Sequence, residues 1–456
     1  MKLNPKQGLH YWGTVAGLFF VTVIGIFLWW QRNAQNEQAI TIISQTKVNT
    51  PVPPITATTP KSLTSQVKLD SPANSIAMGK FDETTCIHMA TAMLDPVNYT
   101  TLKKQVSVSQ SAAKLEVARL IKEAINSSNL HERATALLMN GQMQSRQALE
   151  DFEKKHPNCD ADKSCENQLI EVGANARFDT TDQIAKMAIS SLDPLLYAIA
   201  FHACNGTPTQ GSCRQISARQ WAQRDPNNGN AWLYVLSQNP PTLLGKPNDE
   251  FDAAMFNLSQ TKTFDLEFSH LQKFQKNFVA MQNENPFVQQ ALNEVTMDLY
   301  MASSLPAYQH IMNYCKGNLL EDVNRRQVCD QVALNLVDND GTMLGFAIGT
   351  KMGERLGWNQ EKLIQLREEQ DAMHGLEKSL IDELIKPVNN AAAQITQSCR
   401  WTVNSHKQMA DRMQQGEIAY LRTLIKSQSL SKAELAATYR AHLQKLKTQN
   451  TNTRKP

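Results

Sequence analysis

The chain has 456 residues, with 46 basic and 43 acidic side chains and a net charge of +3. Basic and acidic residues are interspersed, which argues against nucleic-acid binding, where Lys and Arg gather on one face. The length exceeds the usual size of a single hydrophobic core, so either one elongated helical array or two packed subdomains would fit it.

Residues 1–10 carry Lys2 and Lys6 and precede an uncharged run, YWGTVAGLFFVTVIGIFLWW, from Tyr11 to Trp30. As a helix this run covers roughly 30 Å, the thickness of a bilayer's hydrocarbon core. Tyr11 and Trp12 stand at one end and Trp29 and Trp30 at the other, the headgroup level that amphipathic rings prefer. Residues 11–30 are therefore expected to span a membrane. The small basic excess before the span places residues 1–10 in the cytoplasm and the bulk of the chain outside. A cleaved signal peptide would have a shorter apolar run followed by small residues. Here Trp29, Trp30, Gln31 and Arg32 follow instead.

Residues 31–77 include NTPVPPITATTPKSLTSQ from Asn49, rich in Pro and Thr. Such a stretch cannot bury enough apolar area to offset ordering entropy and reads as a stalk. The remainder, residues 78–448, follows helical spacing nearly throughout. Val117, Leu120, Ile121, Ala124 and Ile125 form one stripe, with Lys114, Arg119, Lys122 and Glu123 off it. Asp95-Pro96, Asp193-Pro194 and Asp225-Pro226 have the Asp and first-turn Pro of helix starts. Asp338-Asn-Asp-Gly341 reads as a turn between two helices. Gly345, Gly349 and Gly353 recur every four residues and make a strip that lets a neighbouring helix approach. Met409, Met413, Tyr420 and Leu424 form another stripe, and Ser431-Lys-Ala-Glu434 is a capping box opening a last helix towards Leu446. Residues 449–456 read as a solvated tail. The fold expected is all-α, with fifteen or so helices in an antiparallel array.

All eight cysteines follow the apolar run. Cys159 and Cys165, Cys204 and Cys213, and Cys315 and Cys329 each bracket a turn-rich connector, so each pair would staple one helix end to the start of the next. Cys86 and Cys399 remain as a fourth pair. This framework suits an oxidising compartment. Cys86-x-His88 and His202-x-Cys204 could be halves of a metal site, but neither has the usual two-residue Cys spacing. The sequence therefore assigns no metal and no cofactor. There is no H-E-x-x-H and no G-x-S-x-G.

The segment Ala218-Arg-Gln-Trp-Ala-Gln-Arg-Asp-Pro-Asn-Asn-Gly-Asn-Ala-Trp232-Leu-Tyr-Val-Leu236 resembles the junction between two tetratricopeptide repeats. Its Ala222, Asp225-Pro226-Asn227-Asn228 and Ala231-Trp232 carry the likeness. The resemblance covers about twenty residues and implies a helical-hairpin scaffold that binds other proteins, with Trp221 and Trp232 as core or contact aromatics. No 34-residue period extends it. The function expected is a scaffold or assembly factor of a bacterial inner membrane, its domain periplasmic and its partners other envelope proteins. The alternative is an envelope- or lumen-facing enzyme, a hydrolase or glycosyltransferase, with two or more acidic groups of shifted pKa in a cleft.

Overall fold

The computed structural model describes residues 96–456, except for 157–158, 160–162, 206–209, 239–248, 265–287, parts of 289–307, parts of 386–413 and 453–456. The expected span at residues 11–30, the stalk, Cys86, Cys399, Met409 and Met413 lie outside the described residues. All described residues fall in one unit of the chain, Asn74–Pro456.

This region is all-helical. The α-helices are α1 (Pro96–Ile125), α2 (Leu130–Lys155), α3 (Lys163–Ala176), α4 (Phe178–Ile189), α5 (Pro194–Cys204), α6 (Ala218–Arg224), α7 (Gly229–Gln238), α8 (Asp249–Gln260), α9 (Tyr308–Tyr314), α10 (Val323–Asp338), α11 (Met343–Leu356), α12 (Gln360–Ile385), α13 (Glu417–Ser427) and α14 (Lys432–Asn452). Two 3-10 turns, Gly211–Gln215 and Gly317–Glu321, sit between them. No strand occurs among the described residues, only an isolated bridge between Asn228 and Thr263. No described helix is long and apolar enough to cross a membrane.

The helix starts follow from local chemistry. The first N–H groups of a helix lack intrahelical acceptors, and short polar side chains supply them. Asn129 accepts from His131 and Glu132 at the start of α2, and Asp322 from Asn324 and Arg325 at α10. Asp193 does the same for α5, with Pro194 at the first helical position. Ser431 and Glu434 exchange the two bonds of a capping box at α14. At Asp225-Pro226 the roles differ from the expected start. Asp225 terminates α6, and Asn228 accepts from the Asn230 N–H to open α7, while its own amide donates to Asp225. Pro226 and Asn227 form the turn between. The Met409–Leu424 stripe is likewise interrupted, because Gly416 has a positive φ of 85° and α13 starts only at Glu417.

Packing runs largely from each helix to its neighbours in the chain: α4 on α5, α5 on α6, α6 on α7, α7 on α8, α10 on α11, and α12 on α13 and α14. Three apolar clusters follow one another. α1 and α2 share the first with Leu292, Val295 and Leu299. The second joins α2 and α4 to α11, with Trp221, Tyr197, Phe251 and Met255 fully buried. The third unites α10, α11 and α12 to α14. Helices at the joins serve two clusters. In α10, Leu336 faces the central cluster and the adjacent Val337 faces the C-terminal one. Burial on both sides explains why α10 shows no single apolar stripe.

The three glycines of α11 have different jobs. A Cβ at Gly349 would lie 2.7 Å from the Ala333 carbonyl of α10, so this position brings the two backbones together. A Cβ at Gly345 would strike the Asp340 carboxylate, and one at Gly353 the Trp358 ring. Replacing Gly349 with Ala is expected to lower unfolding free energy by about 1–3 kcal/mol through overpacking. Urea denaturation will measure it, and an unchanged midpoint would refute the close approach.

The three cysteine pairs are at bonding distance, with Cα–Cα separations of 5.4, 5.5 and 5.7 Å for Cys159–Cys165, Cys204–Cys213 and Cys315–Cys329. The first joins the exit of α2 to the first turn of α3. The second does not reach α6. Cys213 lies in the Gly211–Gln215 turn, which packs on α4, where the Ser212 N–H donates to Asp182 at 2.6 Å. The third ties the exit of α9 to α10, with both sulfur residues fully buried. Closing its 14-residue separation constrains the unfolded chain most. Changing Cys315 and Cys329 together to Ala should cost roughly 3 kcal/mol, read as a drop in thermal midpoint. A loss no larger than for the pair Cys159 and Cys165 would contradict this ranking.

Candidate functional site

Two polar features stand out, and the α10–α11 turn belongs to both. The first is a carboxylate network at the N-terminus of α11. Asp340 is 4% exposed. It accepts from the Tyr308 hydroxyl at 3.0 Å, from the Thr342 N–H at 3.1 Å and from the Thr342 hydroxyl. Glu417 reaches back from α13 and accepts from the Met343 N–H at 2.8 Å. Two carboxylates thus meet the positive end of one helix, the arrangement that the helix dipole favours. Arg412 lies 3.7 Å from Glu417 and 2.9 Å from Glu377 of α12. Across Glu377 stands His374, 3.9 Å away, whose ring stacks on Tyr439 of α14.

These surroundings push the acids in different directions. Burial raises Asp340 to about 6, opposed by its bonds to Thr342 and Tyr308. Burial also raises Glu417. For Glu377 desolvation is the largest single influence, yet His374 and Arg412 together hold it below the ordinary value. The Tyr308 hydroxyl, buried against Asp340, is raised well above the usual phenol range. A carboxyl raised when folded gives stability that is full below its unfolded value, near 4, and lost as pH rises to its folded value, near 6. Asp340→Asn keeps an acceptor for Thr342 and cannot ionise. Relative to the native chain, its stability should rise by roughly 2–3 kcal/mol between pH 4 and pH 6.5. Urea midpoints across that range will test this, and a pH-independent difference would refute it.

The second feature is an open polar groove of about 450 Å³. Ser259, Gln260, Thr261 and Lys262 form one wall at the end of α8, and Gln331, Asn335 and Asn339 form the other along α10. Residues four apart on a helix share a face, so Gln331 and Asn335 of α10 and the capping residue Asn339 follow one another in a row of three amides. Asn335 is buried and bolts the walls together, donating to the Leu258 and Ser259 carbonyls at 3.2 and 3.0 Å and accepting from Gln331 at 3.1 Å. Gln331 and Asn339 are exposed above and below it. Lys262 is carried on a segment fixed by main-chain bonds. Its N–H donates to Asn227, and the Gly229 N–H donates to Thr263 at 2.7 Å.

The residues singled out in the sequence divide as follows. Trp221 is fully buried, its ring centroid 5.2 Å from Phe201 and 5.9 Å from Tyr234. Trp232 is half-buried, and its indole N–H donates to the Pro226 carbonyl at 3.0 Å. Both hold the α6–α7 hairpin together, and neither lines the groove. His202 packs edge-on to Trp221 and Tyr234 inside the core, and its neighbour Cys204 is spent in a disulfide. Asp340 belongs to the expected Asp338–Gly341 turn, but its burial was not foreseen. The i, i+4, i+8 amides Gln331, Asn335 and Asn339 were also missed, although that spacing is visible in the sequence. Comparison with protein-family models, with curated proteins and with solved structures finds no match.

Proposed function

We propose that the chain is a membrane-anchored scaffold of the bacterial envelope. Residues 11–30 anchor it, the helical part faces the periplasm, and its task is to hold other envelope proteins. The observation that carries this reading is the succession of helices packed on their neighbours, several of their turns fastened by cysteine pairs. Such an array offers a fixed surface larger than its individual hairpins could hold. The cysteine pairs support an oxidising compartment. The α6–α7 hairpin, with Trp221 inside and the Asp225–Asn228 turn closing it, is consistent with a tetratricopeptide-like unit.

The raised carboxyls of Asp340 and Glu417 are what favours the second reading, a hydrolase or transferase on envelope glycans. Against it, both acids serve the N-terminus of α11, and the groove is lined by neither.

Photo-crosslinking in intact cells tests the scaffold reading. A crosslinker placed at Gln331, Asn339 or exposed positions of α14 should give discrete adducts with envelope proteins. Adducts confined to cytoplasmic proteins, or none at any position, would overturn it.

A further inference from the structure

Resting on the scaffold reading, we propose that the groove between the end of α8 and α10 binds an extended polypeptide segment through its main chain. Gln331 lies on α10 and Asn339 caps its end eight residues on, its N–H still bonded to the Asn335 carbonyl, so the two are separated by a rise of roughly 12 Å. In an extended chain, peptide groups facing one side repeat about every 6.7 Å, so two repeats span about 13 Å. Gln331 commits one amide hydrogen to Asn335 and keeps its second hydrogen and its carbonyl, and the Asn339 amide carries both kinds of group, the pair that a peptide group complements. Between them Asn335 holds the floor rigid, its amide hydrogens committed to Leu258 and Ser259. Rigidity matters because a site that is already ordered loses less entropy on binding.

The other wall adds a donor. The Lys262 side chain is exposed on a segment whose main chain is tied to Asn227, so its ammonium can meet a peptide carbonyl on the far side of the segment. The chemistry of the lining chooses among occupants. An amphipathic helix needs an apolar trough, and the described lining is amide, hydroxyl and ammonium. A glycan would also find hydroxyl partners, but the described lining offers no aromatic face for a sugar ring. Main-chain recognition uses what the groove has, and it makes binding tolerant of side-chain sequence. Thus the array would engage a partner through an unfolded or looped stretch.

The experiment uses the full chain in detergent micelles and a library of fluorescein-labelled, unstructured heptapeptides, read by anisotropy. The peptides that bind should lose at least ten-fold in affinity when Gln331 and Asn339 are both changed to Ala. They should lose as much when alternate amide nitrogens of the peptide are methylated, which removes main-chain donors and leaves side chains intact. Both substituted residues are exposed, and circular dichroism with intact disulfides verifies the fold. Binders indifferent to both changes, no binder in the library, or a peptidoglycan fragment displacing the peptide would each overturn the proposal. If peptides fail while Gln331 still crosslinks to envelope proteins in cells, this inference falls and the scaffold reading stands. If crosslinking also fails at every position, both fall.

Discussion

The close approach of α11 to α10 at Gly349 is the contact on which the rest of the array turns. With no Cβ in the way, the α11 backbone settles against the Ala333 carbonyl, and the two helices pack along their lengths. That fixes two surfaces at once. One side of the hairpin, through Leu336, Ile348 and Met352, completes the central core. The other, through Val337 and Phe346, founds the C-terminal core beneath α12 to α14. A shift here would disturb both, because close-packed interiors transmit displacement.

The turn of this hairpin is where polarity is concentrated. Its helix N-terminus must find acceptors in a buried setting, and Asp340, Thr342 and Glu417 supply them. Burying carboxylates this way is costly unless donors surround them. Glu417 comes from 74 residues away in the chain, so the same bond that satisfies Met343 docks α13 on the hairpin. Arg412 and Glu377 extend the link to α12. Through these bonds Asp340 and Glu417 fasten the start of α11.

The groove depends on the same hairpin from its outer side. Asn335 is 77 residues from Leu258, and its amide donates to the Leu258 and Ser259 carbonyls in the last turn of α8, the first of which also accepts from Thr261. The segment beyond α8 is then held by the Asp225–Asn228 turn, so the motif that resembles a repeat junction also positions Lys262. Trp221 keeps that turn in place by filling the core behind it. The aromatic and amide features divide the work between core and surface.

Much of this was legible from sequence, because the signals are local. Asp193 and Ser431 mark helix starts through bonds to residues two or three positions on, whereas Asp225, with the same Asp-Pro signal, ends a helix. The turn-rich connectors suggested three of the cysteine pairings, and the structure brings those three pairs to bonding distance. Helical spacing named the buried face of α1, where Val117 and Ile121 are inside and Lys122 and Glu123 outside. What only the tertiary structure decided are contacts between residues distant in the chain. Local patterning gives Asp340 a place in a turn, but whether that turn meets water or the Tyr308 hydroxyl depends on how α9 packs. The three glycines of α11 look equivalent in sequence. They differ because a helix, a carboxylate and an indole arrive at them from three directions. Sequence thus determined the helical class, the starts at Asp193 and Ser431 and the three short cysteine staples, since those energies act within a few residues. Packing alone decided which polar groups are buried and which line a groove, since desolvation depends on every element that closes over them.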